Sequence, residues 1–382
     1  MTPVKSRLLL RLDASLAASR DALEAACLGA ERAALLARMG CAEEAAAALA
    51  QLRSRGTATH SPALGVWMCL ADGMVELGRH PPAARDRIQR AYALASAARV
   101  RPLIALSAAW LAHTDGVCEE FAGMARHAAE ALQEAQPDDH AARARASLVV
   151  AQGYHWGARL ERAQPWYRRA HEHATAEGDD TTLGALLKHR AWIAGRQARM
   201  ASIFGAELLP ADAMALRQAQ MSLESSEHFD AHAGHTASRA LALVMRAQLL
   251  AAQERFEEAL GPLRRHLDAP PDGAPAVPPA VLQADIAWCE LHLGRRDEAI
   301  ASARAAEAGL PSDGASAEDR AAAHGRLRQV FAALQCEADA AVHAACAQAQ
   351  RAGLGEAQAR VVQLLDAAVR QVADAPRTPA RV

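Results

Sequence analysis

The stretch Leu293-Gly294-Arg295-Arg296-Asp297-Glu298-Ala299 is the clearest copy of a short phrase that recurs along the chain. In the clear copies one helix ends near a glycine, two or three polar residues follow, and a second helix leads to an alanine. Glycine accepts the left-handed conformation that closes a helix, and acidic residues suit the first turn of the next one. The phrase therefore predicts a hairpin of two α-helices.

Other copies of the phrase set the length of the repeat. Two clear ones run from Met39 to Ala45 and from Leu77 to Ala83, and weaker ones end at Ala163, Ala259 and Ala340. The alanines of adjacent copies are separated by 38 residues (Ala45 to Ala83), 40 (Ala259 to Ala299) and 41 (Ala299 to Ala340). A weak unit near Phe121–Ala125, and one more between Ala163 and Ala259, which are 96 residues apart and fit two units of about 48, bring the count to eight hairpins. Each alanine is expected where two helices cross closely, because a larger side chain would push them apart.

The composition agrees with an all-α protein. Hydrophobic residues make up 51% of the chain but aromatic residues only 4%, so the apolar content is mostly alanine, the best helix former. Residues that favour strands are sparse. Asparagine is absent and lysine occurs only at Lys5 and Lys188, which indicates a GC-rich and therefore bacterial genome.

The repeated positions resemble the tetratricopeptide repeat (TPR) pattern. The best copies are Ala151–Tyr154–Ala163–Tyr167–Ala170 and Ala287–Gly294–Ala299–Ala306–Pro311, and the resemblance covers roughly residues 17–352. The unit of about 40 residues is similar to the helical repeats of MalT-like bacterial regulators. This resemblance implies an all-α, right-handed α-solenoid of about eight TPR-like hairpins. The ATPase loop and the DNA-reading helix pair of those regulators have no counterpart here.

The domain organisation follows from this repeat. We expect residues 1–374 to form a single solenoid, followed by a disordered tail over residues 375–382. The fifth hairpin is long, with helices over about Thr181–Phe204 and Ala211–Phe229. A proline-rich loop is expected over residues 268–279, and a capping helix over residues 356–374, because terminal repeats need a polar outer face.

Charge and cysteine usage limit the classes of partner and compartment. The chain has 42 basic and 44 acidic residues, a net charge of −2, without the basic excess of a nucleic-acid-binding protein. No run of eighteen apolar residues occurs, so no membrane span is expected. The seven cysteines are scattered and lack a C-x-x-C pair, which indicates a reducing, cytoplasmic compartment.

Signatures of catalysis are missing. The sequence has no G-x-S-x-G elbow, no H-E-x-x-H pair and no phosphate-binding glycine loop, so we expect neither an enzyme nor a cofactor. Weak metal candidates are His228, His232 and His235, since the first two share a helical face at a spacing that can bind zinc. A helix ending there explains surface histidines without a metal. A metal-dependent enzyme would rest on this cluster alone.

Candidate binding residues come from the resemblance, which implies that the first helix of each hairpin lines a concave groove. The positions that would point into it are Arg145, Gln152, His155, Trp156, Lys188, Trp192, Arg196, Trp288 and His292. Trp and Arg most often carry the binding energy of interfaces. Residues 188, 192 and 196 are four apart and would form one stripe along a helix. The alternative is that the tryptophans fill irregular packing and the arginines are solvated.

The sequence therefore predicts a non-catalytic scaffold that binds a protein or peptide through its concave groove. The alternative is a small-molecule-sensing regulatory subunit of a bacterial signalling or transcription system, as the MalT-like resemblance suggests.

Overall fold

A computed structural model describes residues 6–54, 61–205, 210–233, 239–269, 277–311 and 315–374. These residues form α-helices joined by turns, with no β-strand among them. The chain divides into two compact units. Unit 1 comprises residues 1–186, 229–237 and 358–382, and unit 2 comprises residues 187–228 and 238–357. No helix within the described ranges is long and apolar enough to cross a membrane.

Helices α1–α9 lie in unit 1. They are α1 (Arg7–Ala18), α2 (Ala22–Met39), α3 (Ala42–Ser54), α4 (Pro62–Leu77), α5 (Pro81–Ala98), α6 (Arg101–Val117), α7 (Phe121–Glu134), α8 (His140–Trp156) and α9 (Leu160–Glu177).

The next helices build unit 2, although α10, α11 and α17 each extend into unit 1. They are α10 (Asp180–Phe204), α11 (Pro210–Ala233), α12 (Arg239–Ala252), α13 (Phe256–Asp268), α14 (Pro279–His292), α15 (Arg296–Gly309), α16 (Ala317–Ala333) and α17 (Glu337–Asp374).

Within each unit, consecutive helices pair as hairpins that stack side by side. In unit 1 the hairpins are α2–α3, α4–α5, α6–α7 and α8–α9, and their first helices pack in a row, α2 on α4, α4 on α6 and α6 on α8. In unit 2 the hairpins α12–α13 and α14–α15 stack in the same way, and α16 follows in that row. Each unit is therefore built as a TPR-like helical repeat. The right-handed superhelical twist stays a prediction.

The hairpin turns share one backbone geometry. Six of the described turns contain a residue with a positive φ, one or two positions after the end of the first helix. These residues are Gly40, Glu119, Ala158, Glu254, Gly294 and Gln335. The following N–H donates to a carbonyl five residues earlier, as from Arg295 to Glu290 at 2.9 Å, which is the Schellman closure of a helix. The expected glycine is thus present in two of the six turns, and other residues adopt the left-handed conformation in the rest.

The turn between α4 and α5 differs, and it corrects the repeat register there. Gly78 has a φ of −78°, and the N–H of His80 donates to the carbonyl of Glu76 only four residues earlier, at 2.8 Å. Helix α5 starts at Pro81, so its fourth residue is Ala84 and not Ala83. Ala84 is fully buried, while Ala83 is half-buried. The expected close-packed position was therefore wrong by one residue in this hairpin.

The alanines at the other hairpins lie where the phrase predicts. Each is the fourth residue of its helix. Ala45, Ala163, Ala259 and Ala299 have no exposed surface, and Ala340 is 7% exposed. In the α6–α7 hairpin this position holds Met124, and Gly116 on α6 makes room for it, since a Cβ there would lie 3.0 Å from the Met124 sulfur. This crossing therefore also has a small residue, but on the first helix of the hairpin and not on the second.

The C-terminal part of the chain departs from the expected eight hairpins followed by a separate capping helix. Helix α1 precedes the first hairpin, and residues 356–374 are the second half of the 38-residue helix α17. That half packs within unit 1 so tightly that a Cβ on Gly153 or Gly157 would lie 2.6 or 2.5 Å from side-chain atoms of Leu365 or Val362. Gly353 and Gly355 lie in the middle of α17, but neither has a positive φ and no proline interrupts the helix, so it continues.

Two further expectations about segments can be compared with the described residues. Helix α10 spans almost the same residues as the expected long first helix of the fifth hairpin, and α11 covers the range expected for its second helix. Around the proline-rich loop, α13 ends at Asp268 and α14 begins at Pro279, but residues 270–276 and the expected tail 375–382 lie outside the described residues.

Replacing a close-packed alanine with leucine should destabilise the fold by about 1–3 kcal/mol, because the added atoms overpack a helix crossing. We expect this at Ala45→Leu and Ala299→Leu, measured as the free energy of unfolding in urea. Matched controls lie on the same helices, since Ala46 and Ala301 are exposed. Equal losses for Ala46→Leu and Ala45→Leu would contradict the assigned crossings.

Candidate functional site

A pocket in unit 1 opens on the row formed by the first helices of its hairpins. Helices α2, α4, α6 and α8 all contribute to it, together with α1, the end of α9 and the start of α10. Its apolar lining is Leu8, Leu12, Ala34, Leu35, Trp67, Leu70, Met74, Leu106, Trp110 and Ala141. Its polar lining is Glu31, Arg38, Arg145, Glu177, Asp179 and Thr182. The pocket is small, with a cavity volume of about 50 Å³, and it combines apolar side chains with a few convergent charged groups.

Helix α1 forms one wall of this pocket and is tied to residues far away in sequence. Leu8 and Leu12 are buried on its inner side, while the Arg7 guanidinium pairs with Asp180 at 2.8 Å. Arg11 pairs with Glu177, and the backbone N–H of Leu8 donates to the Gly178 carbonyl at 3.1 Å. The pocket is thus closed on this side by an amphipathic helix that is held mainly at its first two turns.

The charged floor of the pocket contains one fully formed ion pair. The Arg38 guanidinium donates to both Asp179 oxygens, at 2.8 and 2.6 Å, and the Asp179 carboxylate also accepts from the backbone N–H and the hydroxyl of Thr182. Burial by itself would raise the pKa of Asp179, but Arg38 and the Thr182 hydrogen bonds lower it below its usual value. Asp179 is therefore a carboxylate at neutral pH, and all of its acceptor capacity is directed to Arg38 and Thr182.

Arg145 lies beside this pair without a carboxylate of its own. Its side chain is 5% exposed, and its guanidinium carbon stands 3.9 Å from the centroid of the Trp110 ring. Among the described residues it makes one side-chain hydrogen bond, to the Thr182 hydroxyl at a long 3.3 Å, and its buried Nε has no partner. Burial and then the like charge of Arg38 lower the pKa of Arg145 to about 9, against the attraction of Asp179. It remains a cation at neutral pH, and its charge is poorly compensated.

Glu31 adds a titratable group to the wall near α1. Burial, and after it the Glu177 carboxylate, raise the pKa of Glu31 to about 7, while Arg11 acts in the opposite direction. The side chain therefore changes its charge near neutral pH, and it does so beside the residues that hold α1.

Unit 2 contains a cluster of the same residue types with a different balance. The Asp285 carboxylate accepts from Arg199 at 2.8 Å and lies 3.7 Å from Arg326. Gln248 donates to the same carboxylate, at 3.1 Å. The Arg326 guanidinium also donates to Ser202 and Gln329 and lies 4.9 Å from the centroid of the Trp288 ring. Here one aspartate contacts both arginines, and we interpret the cluster as part of the interior of unit 2.

The sequence-predicted residues of unit 1 lie on α8, and they separate into two groups. Arg145 lines the pocket. His155 is buried, with its Nδ1 2.9 Å from the Tyr167 hydroxyl. Gln152 is half-buried, and Trp156 stacks on Phe121 with ring centroids 5.0 Å apart. His155 and Trp156 therefore make contacts within their own hairpin or with its neighbour.

The predicted stripe on α10 is partly engaged inside unit 2. Arg196 forms a bidentate pair with Glu318, at 2.7 and 2.5 Å, and its guanidinium lies 5.4 Å from the Trp192 ring centroid. Trp192 keeps 36% of its surface exposed, and Lys188 is half-buried. An external carboxylate would have to compete with Glu318 for Arg196.

The remaining predicted residues are on α14 and α11. Trp288 contacts Arg326, and the His292 ring stacks on Phe256 at 4.3 Å between centroids. Of the weak metal candidates, His228 is exposed, while His235 and the side chain of His232 lie outside the described residues. In the described part of the chain no three His, Cys, Asp or Glu side chains converge as a metal site would require.

Sequence reasoning missed Arg38, Trp110 and Asp179. Arg38 and Trp110 lie on first helices of hairpins, α2 and α6. Applying the predicted groove positions to these two helices as well would have included them in the search. Asp179 offered no such signal, because it lies in the turn between α9 and α10 and is 141 residues from its partner Arg38.

The comparisons with known proteins support the fold. A crystal structure of Rap protein complexed with Competence and Sporulation Factor matches 91% of this chain and 92% of its own, with a TM-score of 0.50 and 12% sequence identity. At this identity the likeness concerns the fold, a TPR-like helical repeat. No protein-family model matches the chain, and no curated protein gives a significant match.

Asp179→Asn should destabilise the protein by about 3–5 kcal/mol, because it leaves the buried Arg38 and Arg145 without a counter-charge while keeping an oxygen for Thr182. The free energy of unfolding measures this. The neighbouring Asp180→Asn is the matched control, since its partner Arg7 is 55% exposed and such pairs contribute about 0–1 kcal/mol. Similar losses in both variants would contradict the buried character of the Asp179 pair.

Glu31→Gln should change how stability depends on pH. The folded pKa of Glu31 is about 7, above its ordinary value of 4.5, so its contribution is fully present below about pH 4.5 and is lost as the pH rises through 7. Each pKa unit corresponds to about 1.4 kcal/mol. We therefore expect Glu31→Gln to melt higher than the wild type at pH 8 and close to it at pH 4.5. A constant difference across this range would contradict the raised pKa.

Proposed function

We propose that this chain is a non-catalytic helical-repeat scaffold that binds a peptide or a segment of a partner protein, and that the unit 1 pocket receives it. The observation that carries the proposal is the pocket itself, where four successive first helices place apolar side chains around a buried, incompletely compensated cation. Stability alone gives no reason to keep such a group, since buried charges without partners cost free energy.

The binding of a peptide suits this geometry better than chemistry on a substrate. The lining combines tryptophan and arginine, which dominate the energetics of protein interfaces, with leucine and methionine that accept apolar side chains. Arg38, Asp179 and Glu177 are engaged in ion pairs and Arg145 stacks on a ring, and no nucleophile among these lining residues is paired with a base. The Rap protein structure of similar fold holds Competence and Sporulation Factor, which is consistent with a binding role for such a repeat.

The exposed part of the α10 stripe is a second proposed contact surface, in unit 2. Trp192 and Lys188 would contribute to it, with Arg196 shared with Glu318. Because Arg196 already has a carboxylate partner, we expect this surface to contribute less than the unit 1 pocket.

Site-specific photocrosslinking in the bacterial host tests the proposal. A benzophenone amino acid replaces Trp67 in the unit 1 pocket, Trp192 on α10 or, as a control, the exposed Arg168 on α9. We expect a defined crosslinked peptide or protein from position 67, identified by mass spectrometry, at least tenfold above position 168. Crosslinks from position 192 alone would move the binding surface to unit 2, and equal background from all three would reject the scaffold function.

A further inference from the structure

Residues 358–374, the second half of α17, fill a groove on α7, α8 and α9 in unit 1. Their buried side chains are Val361, Val362, Leu365 and Ala368, which lie on one face of the helix. These side chains join the apolar cluster that α7, α8 and α9 build. The segment belongs to no hairpin of unit 1, since most of unit 2 separates it from α9 in sequence.

The groove is shaped for the close approach of a helix. Gly153 and Gly157 lie one turn apart on α8, and a Cβ on Gly157 would lie 2.5 Å from the Val362 side chain and 3.4 Å from the Gln358 carbonyl oxygen. Gly157 has a φ of −72°, so its backbone conformation does not require glycine. The absence of a side chain there is explained by the helix that packs on it.

A polar contact fixes the register of the segment in the groove. The Asp366 carboxylate accepts from the Tyr154 hydroxyl at 2.8 Å and from the Arg162 guanidinium at 2.6 Å. The Gln358 amide donates to the Trp156 carbonyl at 2.8 Å. The Arg162 side chain is 48% exposed, and ion pairs that water reaches contribute little to stability. The contact therefore selects which helix binds more than it prevents the helix from leaving.

The connection to the first half of α17 is a weak part of the helix. Gly353 and Gly355 are exposed, and nothing in the described part of the chain lies within 4 Å of a Cβ built on either. Packing therefore does not require glycine at these positions, and glycine lowers helix propensity. Residues 358–374 are thus attached to the chain as a tethered helix.

We propose that residues 358–374 are a displaceable occupant of this groove, and that its other occupant is an amphipathic helix of a partner protein. That helix would carry two adjacent branched apolar residues, a leucine three positions further on and an acidic residue directly after the leucine, as this segment does. The groove shares no lining residue with the unit 1 pocket, so the inference is independent of the proposed function.

Charge complementarity and the tether determine how such a partner would bind. Arg162 belongs to the groove, so a partner helix needs a carboxylate where the segment has Asp366, and a basic residue there would meet a like charge. The tethered segment competes with the partner at a high effective concentration. Weakening the segment without changing the groove should therefore increase the affinity for a helix added in trans.

Fluorescence anisotropy of a labelled peptide with the sequence of residues 356–374 tests this, with the full chain as the receptor. Leu365→Asp in the full chain places a carboxylate in the apolar cluster and should release the segment. We expect the peptide to bind this variant at least about tenfold more tightly than the wild type. Asp366→Asn, which keeps the shape of the segment, should increase binding by a smaller factor. Gln363→Asp, at an exposed position of the same helix, is the matched control and should behave as the wild type.

The groove side is tested in the released chain. Adding Gly157→Ala to the Leu365→Asp chain should weaken peptide binding by at least about fivefold, because the new Cβ overpacks the contact with the bound helix. A peptide that itself carries the Leu365→Asp change should not bind.

Several outcomes would overturn the inference. One is a Leu365→Asp chain with an unchanged circular dichroism spectrum that does not bind the peptide, and another is equal binding by this chain and the wild type. Binding that Gly157→Ala leaves unchanged would place the peptide elsewhere. A released chain that forms dimers by light scattering would make a second copy the occupant, against the partner protein. If Leu365→Asp unfolds the chain, Asp366→Asn decides, and unchanged peptide binding there rejects the inference.

Discussion

The close crossing of the two helices in each hairpin is the constraint on which the rest of the structure depends. At the fourth residue of the second helix the chain places an alanine with no exposed surface, in hairpins of both units. A small side chain there lets the backbones approach, which fixes the spacing between hairpins and so the row of first helices. Because alanine contributes little apolar area, much of the hydrophobic stabilisation must come from leucines such as Leu49, Leu64 and Leu263, which are almost fully buried.

That row of first helices determines what the pocket can contain. Side chains from α2, α4, α6 and α8 meet there because neighbouring first helices pack directly on one another. Charged residues at such positions are desolvated by the neighbouring hairpins, so a counter-charge must come from another part of the chain that lies close by. For Arg38 this is Asp179 at the turn into α10, whereas Arg145 receives the aromatic face of Trp110 and little else. The pocket thus combines a stable ion pair with a cation whose burial costs free energy.

The two units each contain a cluster of two arginines and one aspartate, and the contacts within the two clusters differ. In unit 2 the carboxylate of Asp285 lies within ion-pair distance of both guanidinium groups, although the Nε atoms of Arg199 and Arg326 are buried without a hydrogen-bond partner. In unit 1 the carboxylate is drawn to one side by the Thr182 hydrogen bonds that hold the start of α10. The position of the aspartate relative to the two arginines therefore determines how directly each guanidinium is paired.

The sequence by itself determined the all-α class, the helical hairpin and a repeat near 40 residues, because helix propensity, capping and the small-residue crossing are local signals. Arg145, one of the candidate binding residues, lies on a first helix and lines the pocket. The prediction from sequence was wrong where local signals were ambiguous. At the α4–α5 turn, a hydrogen bond over four residues moved the crossing from Ala83 to Ala84. Helix α17 continues through the range where a separate capping helix was expected. Only the tertiary structure decided the site, since Arg38 and Asp179 are brought together across 141 residues and Arg196 is engaged by Glu318 across 122. Ion pairs over such distances depend on the stacking of many hairpins, and no pattern of neighbouring residues encodes them.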